Sequence, residues 1–386
     1  MNLSLLSDEA ARRAAFPVCE KSIFLGHAGV TVLPRVVADA MADYSRRSSE
    51  QHQEFGDFIR DMQETRALSA RFIGARADEI ALLGPTSLGL SLFANGLEWK
   101  AGDEVICYQD DYPANVYPWL ALRRLGVKVT LLQPKEPGVI TPELVADALT
   151  PNTRLVALAS CHFLTGYRID VDAIGQLLHE RGVLFSLDAI QTLGAFPLSV
   201  KYVDFLSADA HKWMLGPMAM GIVYVKKEHF ERHRPTLLGA WNVRSPNFIT
   251  QDEIAFPDTA VRYEPGVLNA VGMYGMKAAL ELLEGVGMEA VAARLLALKA
   301  HLVPALRALG FVIHGPADGP NASSITTFFH PDRPLEPLFQ RLDAAGVIGS
   351  LRHDRTGRAY LRLSPHFYNT EAELDRVVAL LREGLA

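Results

Sequence analysis

The residues best suited to chemistry lie in one run, Phe205-Leu206-Ser207-Ala208-Asp209-Ala210-His211-Lys212-Trp213-Met214-Leu215-Gly216-Pro217, with Asp188 and Gln191 a short way upstream. Lys212 stands between His211 and Trp213 and is followed by Leu-Gly-Pro and the apolar run 219–225, a poor setting for an ordinary solvated charge. A lysine kept from water loses its preference for the charged form, and its amine becomes a nucleophile toward carbonyl carbon. Residues 183–188 read as a buried strand ending in a carboxylate, and residues 202–208 as a second strand leading to the lysine. Neighbouring strand ends then bring Asp188 and Lys212 to one pocket.

This pairing is what pyridoxal 5'-phosphate (PLP) requires: a lysine to form a Schiff base, and an acid to keep the pyridine nitrogen protonated so that the ring draws in electrons. Three segments, Asp188-Ala189-Ile190-Gln191, the Ser-Ala-Asp-Ala-His-Lys-Trp run and Tyr360-Leu361-Arg362-Leu363-Ser364, resemble the class V aminotransferases. That group of fold-type I PLP enzymes includes cysteine desulfurases, isopenicillin N epimerase and kynureninase, and the resemblance runs from about Phe24 to Leu381. It implies an α/β fold: a large PLP-binding domain, 16–255, with a mainly parallel seven-stranded sheet between helices. A smaller domain combines the N-terminal arm, 1–15, with a C-terminal α/β unit, 256–386.

The elements around the lysine agree. Apolar strands at 104–108, 128–132 and 154–159 alternate with helical stretches, which argues for a parallel sheet with its ligand at the carboxyl ends of the strands. Gly84-Pro85-Thr86-Ser87 follows the apolar run 80–83 and opens a helix, so Thr86, Ser87 and free backbone N–H groups can hold a phosphate. Asp110 and Asp111 follow the 104–108 strand, but no third ligand at a sensible spacing accompanies them, and no metal site is expected. Cysteine desulfurases carry histidine, and kynureninases phenylalanine, where Tyr112 stands. The resemblance therefore implies that Tyr112 stacks on the pyridine ring, with Asn115 close by, and that Gln191, Asp209 and His211 also contact the cofactor.

For the substrate, the resemblance points to Arg362, whose guanidinium can grip an α-carboxylate with two parallel hydrogen bonds. It also points to the turn at His27-Ala28-Gly29. Phe163 falls where desulfurases have asparagine and kynureninases an aromatic residue. Loops around Trp241 and Gly266 resemble segments that cross a dimer interface to the partner's phosphate, which implies a homodimer with composite active sites. Many desulfurases have threonine where this chain has Val267, which lacks that hydroxyl, so Trp241 or backbone N–H groups are expected to substitute.

The 386 residues, 49% apolar and 21% charged, can build a sizeable core. A net charge of -6 with scattered basic residues gives no footprint for nucleic acid. Three cysteines far apart suggest neither disulfides nor zinc, and no leader or membrane-length apolar run is seen. A cytoplasmic enzyme without membrane partners is expected. Desulfurases need a persulfide-forming cysteine on the loop before the carboxylate arginine, yet residues 346–354 contain none. The expected activity is therefore cleavage at Cβ of an α-amino acid, a C–S or C–C lyase acting through a Cα carbanion, with Phe163 and Tyr112 favouring a substrate bulkier than cysteine. Aminotransferase and epimerase chemistry are the alternatives, and a non-catalytic PLP-fold binding protein is a third reading.

Overall fold

The computed structural model describes residues 8–54, 56–266 and 269–386. Among these, the strands are β1 (Ile23–Phe24), β2 (Ile80–Leu82), β3 (Glu104–Tyr108), β4 (Lys128–Leu132), β5 (Thr153–Ala159), β6 (Leu184–Asp188), β7 (Phe205–Asp209), β8 (Gly221–Val225), β9 (Val312–His314), β10 (Thr326–Phe329), β11 (Val347–Ile348), β12 (Ser350–His353) and β13 (Ala359–Leu363). Strands β2 to β8 form a seven-stranded sheet in the order β2-β8-β7-β6-β5-β3-β4, in which only β8 runs against the rest. This is a fold-type I architecture.

Continuous apolar runs make these strands because both faces of the sheet are covered. Side chains alternate between the two faces: Ile106, Val156 and Leu158 enter one core, while Val105, Leu155 and Ala157 enter the other. The helix Thr86–Gly96 presses on β7 at Gly89, where a Cβ would stand 2.4 Å from Ser207 Oγ. Glycine is what allows this close approach. The turn after β6 likewise needs Gly194, at φ +91°, because a side chain there would meet the Trp213 carbonyl.

A second, antiparallel sheet has the order β12-β13-β10-β9, and β1 pairs with β11. The long helix Met288–Ala308 links the two halves, giving Val291 and Leu295 to the core of the large sheet and Leu298, Leu302 and Leu306 to that of the small one. The preceding helix, Ala270–Val286, buries Met273, Met276 and Leu280 beside the large sheet. The arm helix Glu9–Ala15 is tied to the C-terminal segment by Arg12, which donates to the Tyr368 carbonyl at 3.2 Å and pairs with Glu373 at 2.9 Å.

Beyond the sequence reading are, among others, the helix Val171–Glu180, strand β9, and β11 and β12, which lie in the stretch expected as a loop. Val267 lies outside the described residues. No helix among the described residues is long and apolar enough to cross a membrane.

Candidate active site

Strands β6 and β7 lie side by side with Asp188 opposite Ser207, so the Asp188 carboxylate and the turn carrying Lys212 emerge at the same sheet edge. That turn is held in an uncommon conformation, with Leu215 and Ala219 both at φ 59°. Such residues cost about 1–3 kcal/mol each and persist only where the surroundings hold them. At this sheet edge lies a cavity of about 310 Å³ whose wall includes Thr86, Ser87, Tyr112, Phe163, Asp188, Gln191, His211, Lys212 and Arg362. Nine of the residues expected from sequence are thus brought together.

Each is fixed by its surroundings. The Asp209 N–H donates to Thr86 Oγ1 at 2.8 Å, which leaves the Thr86 hydroxyl hydrogen free for the cavity. Gln191 bridges, donating to the Ala28 carbonyl at 3.0 Å and accepting from the Trp213 indole at 2.8 Å. The Ile190 N–H donates to Asp188 at 3.0 Å. Lys212 Nζ lies 5.3 Å from the centre of the Tyr112 ring, and that ring meets Phe163 edge-on at 5.5 Å.

Four of the expected residues do not line the cavity of this chain. His27 is fully buried and off the cavity, its Nδ1 2.9 Å from the Ser364 carbonyl and its Nε2 3.1 Å from the Tyr368 hydroxyl. Its neighbours Ala28 and Gly29 line the cavity instead. Asn115 is also fully buried, donating to Asp111 at 3.0 Å and accepting from Trp119 at 3.4 Å. Asp209 sits behind the wall, where its Oδ1 is 2.8 Å from His211 Nδ1. Trp241 does not reach the cavity of its own chain. For His27, Asn115 and Asp209 a polar side chain near a motif is tied to neighbouring protein groups, which its position in the sequence does not reveal.

Two residues were missed. Asp111 accepts from the Tyr112 and Ala159 N–H groups at 2.9 and 3.0 Å, anchoring the Tyr112 turn to the end of β5. Arg352 lines the cavity from β12. In the β12–β13 hairpin, Ser350 faces Arg362 and Arg352 faces Tyr360, which puts both arginines diagonally on one face of the sheet. The period-two spacing 350/352 and 360/362 is the signal that could have found it.

Burial pushes the Lys212 amine down to about 8, with Arg362 and Arg352 adding to the effect and Asp188 opposing it. Burial raises the Asp188 carboxyl, while the Ile190 N–H and Lys212 restrain the rise. Burial and the nearby Asp188 push Asp111 up to about 7. Arg362 is lowered to about 9 by burial and then by Arg352. Its Nη1 donates to the Phe163 carbonyl at 2.6 Å, while its Nε and Nη2 are buried without partners. A buried cation with unused donors fits an anionic ligand.

A parallel sheet that presents a buried lysine beside a carboxylate at its strand ends, facing a helix N-terminus, defines the PLP-dependent enzymes of fold-type I. The chain belongs to the Aminotransferase class-V family, which it matches over residues 23–377, and it is a PLP-dependent enzyme. A probable cysteine desulfurase of Methanothermobacter thermautotrophicus is 28% identical, over 96% of each chain. The apo cysteine desulfurase of Thermococcus onnurineus has the same fold, with a TM-score of 0.90 at 22% identity over 97% of each chain. The cystine C–S lyase C-DES, solved with its reaction product cysteine persulfide, gives a TM-score of 0.85 at 20% identity, covering 95% of this chain and 99% of its own.

The donor set fits the cofactor. Lys212 would supply the amine for its aldehyde, Asp188 would face its ring nitrogen, and the N-terminus of Thr86–Gly96 with Ser87 would seat its phosphate.

Proposed function

We propose that this enzyme is a Cβ lyase, cleaving a C–S or C–C bond of an α-amino acid bulkier than cysteine without a persulfide-forming cysteine. The observation that carries the reading is the placement of the cysteines: neither Cys19, Cys107 nor Cys161 lines the cavity, and the β12–β13 hairpin has none. Burial raises the Cys161 and Cys19 thiols to about 11, far from a nucleophilic thiolate at neutral pH. A lyase that releases its own leaving group needs no such thiol, and the names of the relatives place C–S bond cleavage within reach of this fold.

Bound PLP supplies an electron sink for charge developing at Cα. The chain does the rest. Arg362 holds the α-carboxylate, and Lys212, whose affinity for a proton is lowered toward neutrality, takes and returns the Cα proton. Asp188 would keep a proton on the ring nitrogen of the bound cofactor, and Tyr112 and Phe163, packed edge-on, would give the site an aromatic wall.

The loops 237–242 and 246–254 expose Leu238, Phe248, Ile249 and Ile254 at 53%, 75%, 62% and 61%. Such apolar exposure supports a homodimer in which Trp241 reaches the partner's cavity. A large unit, 16–255, and a small one, 1–15 with 256–386, go with this reading, as do a cytoplasmic setting and a small-molecule amino-acid substrate.

The test is a panel of amino acids added to the holoenzyme, with the cofactor spectrum followed and products identified by mass spectrometry. Pyruvate or alanine in equal amount with a released fragment is expected. Conversion of the cofactor to pyridoxamine phosphate, recovered only by a keto acid, would make it an aminotransferase.

A further inference from the structure

One guanidinium of the cavity has no part in the roles assigned so far. Its ionisable lining is Asp188, His211, Lys212, Arg352 and Arg362. Of these, Lys212, Asp188 and His211 are assigned to the cofactor and Arg362 to the α-carboxylate. Arg352 is left over. It is exposed on β12, and among the described residues no ion pair to it is seen.

The two guanidinium groups converge. A methyl group placed on Gly29 would stand 3.8 Å from Nη2 of Arg352 and 3.8 Å from Nη2 of Arg362. The two nitrogens are therefore no more than twice that distance apart and share the space above a glycine that has no side chain to fill it. Like charges brought this close repel one another, and the buried one still has unused donors on Nε and Nη2. A ligand with one acid group satisfies Arg362 and leaves Arg352 unneutralised. A ligand with two satisfies both.

We propose that Arg352 and Arg362 form a two-guanidinium fork that selects an α-amino acid carrying a second anionic group on a short side chain. The proposal rests on the reading of this cavity as the amino-acid site. Arg362 holds the α-carboxylate from within the wall, and Arg352, at the mouth, holds the side-chain acid. Arg352 is a specificity residue that takes no part in proton transfer.

The experiment compares wild type with Arg352→Gln and Arg352→Lys. Cofactor-free protein is titrated by calorimetry with succinate and with its single-acid counterpart, butyrate. PLP-loaded protein is titrated with L-aspartate and L-glutamate against L-asparagine and L-glutamine, following the cofactor absorption. Wild type is expected to hold each diacid about 10- to 100-fold more tightly than its counterpart lacking the second acid. Arg352→Gln should erase that preference while changing the affinity for asparagine and glutamine by less than about threefold, and Arg352→Lys should restore part of it. Equal affinity for both members of each pair in wild type overturns the fork. So does Arg352→Gln weakening both members alike, which would assign Arg352 to the α-carboxylate. Loss of PLP affinity with the preference intact would assign it to the cofactor phosphate and overturn the fork as well. If no amino acid alters the absorption but succinate is still preferred over butyrate, the fork stands and the enzymatic reading of the cavity fails. A normal response to amino acids without acid preference sinks the fork alone.

Discussion

On the side of the cavity built by the large sheet, Thr86, Gln191 and Asp188 are each held by a hydrogen bond to nearby backbone or to Trp213. On the side built by the small sheet, Arg362 makes one bond, to the Phe163 carbonyl, and leaves Nε and Nη2 buried and unbonded. The contrast separates two tasks. A resident cofactor is served by groups locked in place before it arrives, which lowers the ordering cost of binding. A substrate that comes and goes is served by a cation whose desolvation is already spent and whose donors are satisfied only when an acid enters.

The largest test of this contrast is Lys212→Ala. It should abolish the PLP adduct that borohydride fixes in wild type and lower turnover by about 10²–10⁴-fold, read by mass spectrometry and absorbance. Lys299 is the internal control, being also buried and lowered to about 8, but with its Nζ donating to the Ile325 carbonyl at 2.7 Å. An adduct moving to Lys299 would break the assignment of the cofactor side.

Arg362→Gln should leave PLP uptake intact while raising the half-saturating amino-acid concentration about 10- to 100-fold. Without amino acid, the thermal midpoint of this variant should not fall, because an unpaired buried cation is being removed. Loss of PLP binding in Arg362→Gln would show that the two sides are not separate.

Gly89→Val pushes a side chain against Ser207 Oγ, 2.4 Å from the Cβ position, and lifts the phosphate-facing helix off β7. A loss of about 1–3 kcal/mol in denaturant unfolding is expected, together with weaker PLP binding. Weaker stability with unchanged PLP affinity would detach that helix from the cofactor side.

The smallest effect is in pH. A neutral Lys212 amine is what captures the cofactor aldehyde, and with its titration near 8 the neutral fraction grows as pH rises through that value. The rate of PLP uptake by cofactor-free protein should climb about tenfold between pH 7 and pH 9 and then level off. A rate still rising steeply above pH 10 would mean that Lys212 is solvated.

How much of this was legible depends on the range of the contacts. Strands β3 and β4 are read at their true ends, because short, mainly apolar runs bounded by turns mark their own limits. Lys212 and Asp188 are legible for a related reason: Asp188 ends β6 and Lys212 lies three residues past the end of β7, so the position of each at the sheet edge is a local fact. Thr86 and Ser87 share it, as the first residues of a helix. His27 and Asn115 are not legible. The partners that bury His27, Ser364 and Tyr368, lie at the other end of the chain, and Asn115 is turned inward by Asp111, which is itself held by the end of β5.

The side proposed for the cofactor was the more legible in the sequence, through strand periods, a helix start and a lysine in an apolar setting. On the substrate side the sequence pointed to Arg362 and Phe163, while the tertiary structure decided their partners and added Arg352. The loop carrying Phe163 is pinned to the small sheet by Ser323 and Thr327, which donate to the Gly166 and Leu164 carbonyls at 2.7 and 2.5 Å. This docking gives Arg362 its single partner, and the hairpin register sets Arg352 diagonally across from it. Hydrogen-bond satisfaction and strand register depend on which distant segments meet, and no local pattern encodes that.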